Sequence, residues 1–157
     1  INAYGMLPFL LAAASAMLAD TIAYFAGTAI KGPKIFPKIS PNKTYSGSIC
    51  GLLGGVAGAF IVYAMFEVAP FPVNAPVRFT EILVHPEIFY AFMGLAIAIV
   101  SQIGDIFASK VKREFGVKDF STLLGSHGGI IDRIDSIIFA VLFVAIVVEF
   151  LPIAVAL

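Results

Sequence analysis

Four runs of this chain, residues 3–30, 46–66, 88–108 and 134–155, each hold at most two charged residues. At a rise of ~1.5 Å per residue, each is long enough to cross the ~30 Å hydrocarbon core of a bilayer as a helix. The pattern predicts transmembrane helices at Ala3–Ile30, Ser46–Phe66, Ile88–Ala108 and Ile134–Val155. Together they describe an all-α polytopic membrane bundle, read as one domain over residues 1–157 with no linker, internal repeat or low-complexity tract. A soluble all-α core is the alternative, and four such runs in one short chain count against it.

The polar positions are distributed unevenly. Between the third and fourth runs, 9 of the 27 residues from 109 to 135 are charged. The connection "EVAPFPVNAPVRFTEILVHPE" is proline-rich and reads as an irregular external loop, with His85 a surface residue of it. Within the second run, Gly47, Gly51 and Gly55, with Gly54 and Gly58, form small-xxx-small rows that let helix backbones approach closely.

Composition supports the membrane reading. The chain is 60% hydrophobic and 13% charged, with mean hydropathy +1.00, whereas a soluble domain is about half apolar and about a quarter charged. A sequence that begins with Ile and enters a span almost at once reads as the C-terminal part of a longer protein. The single cysteine, Cys50, excludes a disulfide framework or a cysteine-based metal site within one chain. No nucleic-acid partner is expected.

Charge sets the topology. Lys31, Lys34, Lys38 and Lys43 lie in the first connection, and Lys110, Lys112, Arg113, Lys118 and Arg133 in or beside the third, leaving only Arg78 in the second. By the positive-inside bias, the first and third connections face the cytoplasm and both termini lie outside.

Several residues then stand out as chemistry. Asp20 lies inside the first span, where a carboxylate costs about 2.5–3.5 kcal/mol even on the lenient insertion scale. Tyr24 and Thr28 continue a polar stripe at helical spacing. An interhelical hydrogen bond is the structural reading, and a pathway or site the functional one. In the third span Ser101, Asp105, Ser109 and Lys112 share a face, and Gly104 leaves room for a close approach. An acid near a helix C-terminus opposes the macrodipole, so Asp105 is expected to have a cationic partner.

Asp132 and Asp135 fit two readings equally. They suit the N-cap and third position of a helix, or two carboxylates on one face that join Asp105 in an all-oxygen site for a hard divalent ion. The preceding "GSHGG" supplies Gly128 and Gly129, whose backbone can present N–H groups to phosphate oxygens, and His127 as a further donor. In "SPNKTYSG", Lys43 suits a phosphate charge, and Thr44 or Ser40 a hydroxyl donor. No Walker A run is present. Topology and attraction to anionic lipid account for part of the lysine content without any site.

The run from Ser109 through Lys112-Arg113 and Lys118-Asp119 to His127-Gly128-Gly129, Asp132-Arg133 and Asp135 resembles the hallmark of the phosphatidate cytidylyltransferases, or CDP-diacylglycerol synthases. "ADTIAYFAG", "SPNKTYSG" and "GDIFASKVKRE" resemble the same family in the same order, so about three quarters of the chain is covered. Gly125-Ser126 stand where members commonly carry Pro-Gly.

The resemblance implies a Mg²⁺-dependent reaction in which CTP and phosphatidate give CDP-diacylglycerol and pyrophosphate. It assigns Asp105 and Asp132 to metal with Asp135 supporting, and Lys43, Lys112, Arg113, Lys118 and Arg133 to phosphates. Gly128 and Gly129 become backbone donors, His127 a catalytic-loop donor, and Asp20 a group shaping the site. Whether a second, monovalent cation such as K⁺ joins the site, and whether the protein is a homodimer, stay open at this point. The implied location is the bacterial inner membrane, with the site facing the cytoplasm. A CTP-dependent polyprenol kinase or CDP-archaeol synthase would share the basic loops, but the intact "HGGIIDRID" disfavours both. A transporter would place its acids at the midplane rather than toward one face.

Overall fold

The computed structural model describes residues 6–37, 39–68, 85–116 and 128–155, with the backbone alone at 41, 42, 128–135 and 151–155. Helix α1 covers Leu7–Ile30. A short antiparallel hairpin follows, β1 at Lys34–Phe36 and β2 at Ser40–Thr44, pairing Lys34 with Thr44 and Phe36 with Ser40. Helix α2, Tyr45–Tyr63, continues as a π-helical turn over Ala64–Val68. Helices α3, Pro86–Glu114, and α4, Gly128–Val155, complete the described elements. This is an all-α membrane bundle carrying one small β-ribbon. The stretches Leu7–Ile30, Tyr45–Val68 and Pro86–Glu114 are long and apolar enough to cross a membrane, and Ser136–Phe150 is a shorter apolar part of α4.

Three local expectations need correction. The fourth helix begins at Gly128 rather than Ile134. Glycines disfavour a helix interior by about 1 kcal/mol each, but this pair occupies only the first turn, ahead of the apolar Ile130 and Ile131. Asp132 and Asp135 are therefore not the N-cap and third residue; they sit in the second turn. Helix α3 runs on to Glu114 and ends at Gly116, whose φ of +70° is glycine's natural left-handed region and whose N–H reaches Arg113 O at 3.0 Å. Asp105 is thus well inside α3, too far from its end for the macrodipole to govern it. The first connection is also more ordered than a loop, because alternate residues of two short segments pair across a turn.

Glycines set the helix spacing. An added Cβ at Gly47 would come within 2.5 Å of Ala23 O, and at Gly58 within 2.7 Å of Ser15 Cα, so this row lies directly against α1. Gly55 turns the other way and meets Gly94 of α3. Helix α4 closes the bundle against α1 and α3.

The buried core consists of Leu7, Leu11, Val62, Phe66, Tyr90, Met93, Ile97, Ala140 and Val144. It fills the end of the bundle away from the hairpin. Around the outside, Phe9, Leu53, Phe92, Phe107, Leu142 and Phe150 are each more than half exposed. A water-soluble domain does not expose apolar side chains all around its helices, whereas a bundle in lipid must.

Candidate active site

The polar interior begins where the apolar core stops. Asp20 of α1 accepts hydrogen bonds from Ser136 Oγ at 2.7 Å and Ser101 Oγ at 3.5 Å. Both serines are buried, so one carboxylate ties α1 to α3 and α4 at once. Asp105 lies one turn beyond Ser101, and the backbone of Asp132 lies one turn before Ser136. Because α3 and α4 are antiparallel, both steps of ~6 Å run the same way, toward the third connection. Two acids from different helices therefore sit at a common level just above Asp20.

Lys43 provides the local positive charge. Its Nζ lies 2.5 Å from Asp105 Oδ2 and donates to Gln102 O at 3.2 Å. The two charged side chains are 19% and 30% exposed, sheltered enough for the pair to matter and open enough to be reached from solvent. Strand β2 explains the placement. Successive strand residues point to opposite faces, so Lys43 turns to α3 while Thr44 turns to α1 and caps α2. Thr44 Oγ1 accepts from Gly47 N at 3.1 Å, an N-cap worth about 1 kcal/mol. The cationic partner expected for Asp105 is thus present, for a reason other than the macrodipole.

The remaining candidates are distributed around this centre. Lys112 is buried at 7% exposure. Arg113 Nε donates to Ile39 O at 3.4 Å, which brings the hairpin and the end of α3 to the same end of the bundle. Ser40 starts β2, about 10 Å of strand from Lys43. Gly128 and Gly129 open α4, and Asp132, Arg133 and Asp135 follow in its backbone. Lys118 and His127 lie outside the described residues. Two participants had been missed, and Thr44, expected as a hydroxyl donor to phosphate, acts as a helix cap. Ser136 holds Asp20, and Gln102 accepts from Lys43 through its backbone carbonyl and donates its Nε2 to Ser48 O at 3.1 Å. A glutamine inside an apolar helix was the available signal for the last.

Comparison with known proteins decides the family, since the cytidylyltransferase family model matches residues 2–151. The chain belongs to the cytidylyltransferase family. This cytidylyltransferase-family chain is 44% identical over 121 residues to the phosphatidate cytidylyltransferase of Brucella abortus biovar 1 (strain 9-941), covering 77% of this chain and 39% of that protein. It is 33% identical over 144 residues to the protein of that name from Bacillus subtilis (strain 168), covering 91% and 48%. For the Haemophilus influenzae protein of that name the identity is 40% over 127 residues, covering 80% and 40%. The chain spans two-fifths to about half of the length of these curated relatives.

Asp105 offers this cytidylyltransferase-family site the carboxylate oxygens that a hard divalent cation takes, with Lys43 as their competitor at Oδ2. The hydroxyls of Ser101 and Ser136 hold the Asp20 carboxylate about one helical turn deeper. Among the residues with described side chains, no three His, Cys, Asp or Glu residues cluster. Asp132 and Asp135 are outside that set.

Proposed function

We propose that the whole protein is a phosphatidate cytidylyltransferase that converts CTP and phosphatidate to CDP-diacylglycerol and pyrophosphate. The observation that carries this reading is the Asp20 bridge between Ser101 and Ser136, which puts Asp105, paired with Lys43, at the level of the Asp132 backbone. A phosphatidate phosphate oxygen forms a bond to the CTP α-phosphorus, and the bond from that phosphorus to the bridging oxygen of pyrophosphate breaks. The nucleophile is already anionic near neutral pH, so a strong general base is not required. The obstacle is the mutual repulsion of two polyanions.

Lys43 opposes that repulsion by contributing positive charge at the centre, and the backbone N–H groups at Gly128 and Gly129 open a helix that favours phosphate. Lys112, Arg113, Lys118 and Arg133 add positive charge around it, with His127 as a further donor. Asp105 and Asp132, supported by Asp135, would hold Mg²⁺, which when bound supplies charge neutralisation at the phosphate oxygens. Asp20 keeps the three helices in register so that those carboxylates stay together.

The basic hairpin and the basic end of α3 share one end of the bundle, which supports a cytoplasmic site in a bacterial inner membrane. Thin-layer analysis of labelled CTP incorporation into lipid by the full-length protein tests the activity. Mg²⁺-dependent CDP-diacylglycerol is expected, and its absence with well-folded protein and both substrates would overturn the reading. Single cysteines at Lys38 and Phe120 in a Cys50→Ala background should label only from the cytoplasm, and labelling from opposite sides would refute the topology.

A further inference from the structure

Among the described residues, two cations are left over from this arrangement. Lys43 pairs with Asp105, and Lys110 approaches Glu114 at 3.9 Å. Lys31 and Lys34 have no acidic partner among the described residues, and both line one open groove of about 400 Å³. Tyr24, Gly27, Thr28, Gly32 and Thr44 complete it. The groove lies where α1 gives way to the hairpin. A Cβ at Gly27 would come within 2.8 Å of Thr44 Oγ1, and one at Gly32 within 2.8 Å of Ser46 Oγ, so bare glycines form the wall where α2 approaches.

Lys31 is the unusual member. It caps α1 with φ +49°, the left-handed region that glycine occupies at little cost and a lysine does not, although glycine is next in the chain. A cation is thus held at the mouth of the groove in a conformation that its own backbone disfavours.

The surroundings indicate what kind of ligand carries the matching charge. Tyr24 and Phe25 are each 65% exposed and Ile30 60%, on a helix apolar enough to cross a membrane. Apolar side chains lie below, and above lie ammonium groups with no acidic partner among the described residues, which is the polarity of an anionic amphiphile at an interface. The groove also adjoins the reaction centre through one strand residue, since Thr44 lines it while Lys43 reaches Asp105 from the other face of β2.

We propose that this groove is a phosphate-binding site that receives the phosphomonoester headgroup of the lipid substrate before it reaches the centre at Lys43 and Asp105. The inference rests on the proposed activity for the identity of the lipid, while the groove and its cations stand independently of it. Lys31 and Lys34 hold the phosphate oxygens and the Tyr24 hydroxyl offers a further donor. The acyl chains leave along the exposed face of α1. The same phosphate chemistry could arrive on CTP or as free phosphate, and the experiment separates these sources.

In the full-length protein, Lys31→Gly relieves the left-handed strain as it removes the charge, and Lys34→Gln keeps most of its stem, so the double variant should fold. Binding of a fluorescent phosphatidate in mixed micelles should weaken roughly tenfold or more, as expected for losing two cations near a lipid surface. Binding of phosphatidylglycerol should change much less. In turnover, KM for the surface fraction of phosphatidate should rise by a similar factor with kcat and KM for CTP unchanged, and Lys31→Arg/Lys34→Arg should restore it.

Equal loss of phosphatidylglycerol and phosphatidate would reduce the two lysines to general surface charge and overturn the site. A rise in KM for CTP alone would assign the groove to the nucleotide, and competition by millimolar inorganic phosphate as strong as that by phosphatidate would remove the lipid preference; either overturns the proposal. The binding arm needs no catalysis. Lysine-dependent phosphatidate binding without CDP-diacylglycerol synthesis would reject the activity and keep the groove, and synthesis with unchanged binding would do the reverse.

Discussion

Replacing Lys43 by Met removes one charge while keeping most of the side-chain volume, and it separates the catalytic reading from a purely topological one. In the folded chain Lys43 Nζ meets Asp105 Oδ2 at 2.5 Å and Gln102 O at 3.2 Å, with the two charged side chains 19% and 30% exposed. Fully exposed pairs contribute about 0–1 kcal/mol, while breaking a fully buried one costs about 3–5 kcal/mol. This pair falls between, so the stability loss should be about 1–3 kcal/mol, small enough for the variant to fold and insert.

The effect on activity has a direction of its own. If Lys43 contributes charge to the CTP phosphates, losing a charge-assisted contact of about 1.5–3 kcal/mol should lower kcat/KM for CTP roughly ten- to a hundredfold. Asp105 would at the same time lose its competitor for a divalent ion, so the Mg²⁺ concentration for half-maximal activity should fall or stay level. The assay is labelled CTP incorporation over a grid of CTP and Mg²⁺ concentrations, with thermal unfolding in detergent as the folding control. A folded Lys43→Met protein with near-normal kcat/KM for CTP would show that the residue serves the ion pair and topology alone. A raised Mg²⁺ requirement would refute the competition at Asp105.

Three further outcomes follow from the same geometry. Asp132→Asn should leave the fold intact, because Asp132 sits in the second turn of α4 rather than at its cap, yet it should abolish most turnover; Asp105→Asn should match it, and the double variant should be little worse than either single. Wild-type turnover in folded Asp132→Asn protein would remove that residue from the metal site. Asp20→Ala removes the carboxylate that the buried Ser101 and Ser136 hydroxyls share and should destabilise by at least about 1–3 kcal/mol. Asp20→Asn should recover most of that stability, and equal melting temperatures for all three proteins would refute the bridge. Gly58→Val places carbon against Ser15 Cα and Ala14 O, both 2.7 Å from an ideal Cβ. Backbone cannot yield as a side chain can, so the variant should lose at least about 1–3 kcal/mol of stability, read as a lower melting temperature in detergent. An unchanged melting temperature would place α1 and α2 farther apart than described.

Much was legible in the sequence because lipid is an undiscriminating solvent. A span must be long, apolar and helical, so the four helices and the all-α bundle followed from runs of uncharged residues alone. The family could be read for a related reason, as "HGGIIDRID" and the basic residues around it form a continuous run. The cap at Thr44 also had a local signal, a hydroxyl just before a helix, although the residue was expected to donate to phosphate instead.

Tertiary structure alone decided which polar groups meet. Nothing in the spacing of Asp20, Ser101 and Ser136, separated by 81 and 116 positions from the carboxylate they share, identifies them as partners. That meeting depends on the rotation of three helices about their axes, which is set by the glycine faces of α2 and the packing of α4. The pairing of Lys43 with Asp105 likewise required the hairpin, because only strand alternation turns Lys43 to α3 and Thr44 to the groove. Hydrophobic patterning fixes which residues lie in the membrane. The close contacts between helices fix which of the few polar ones lie together.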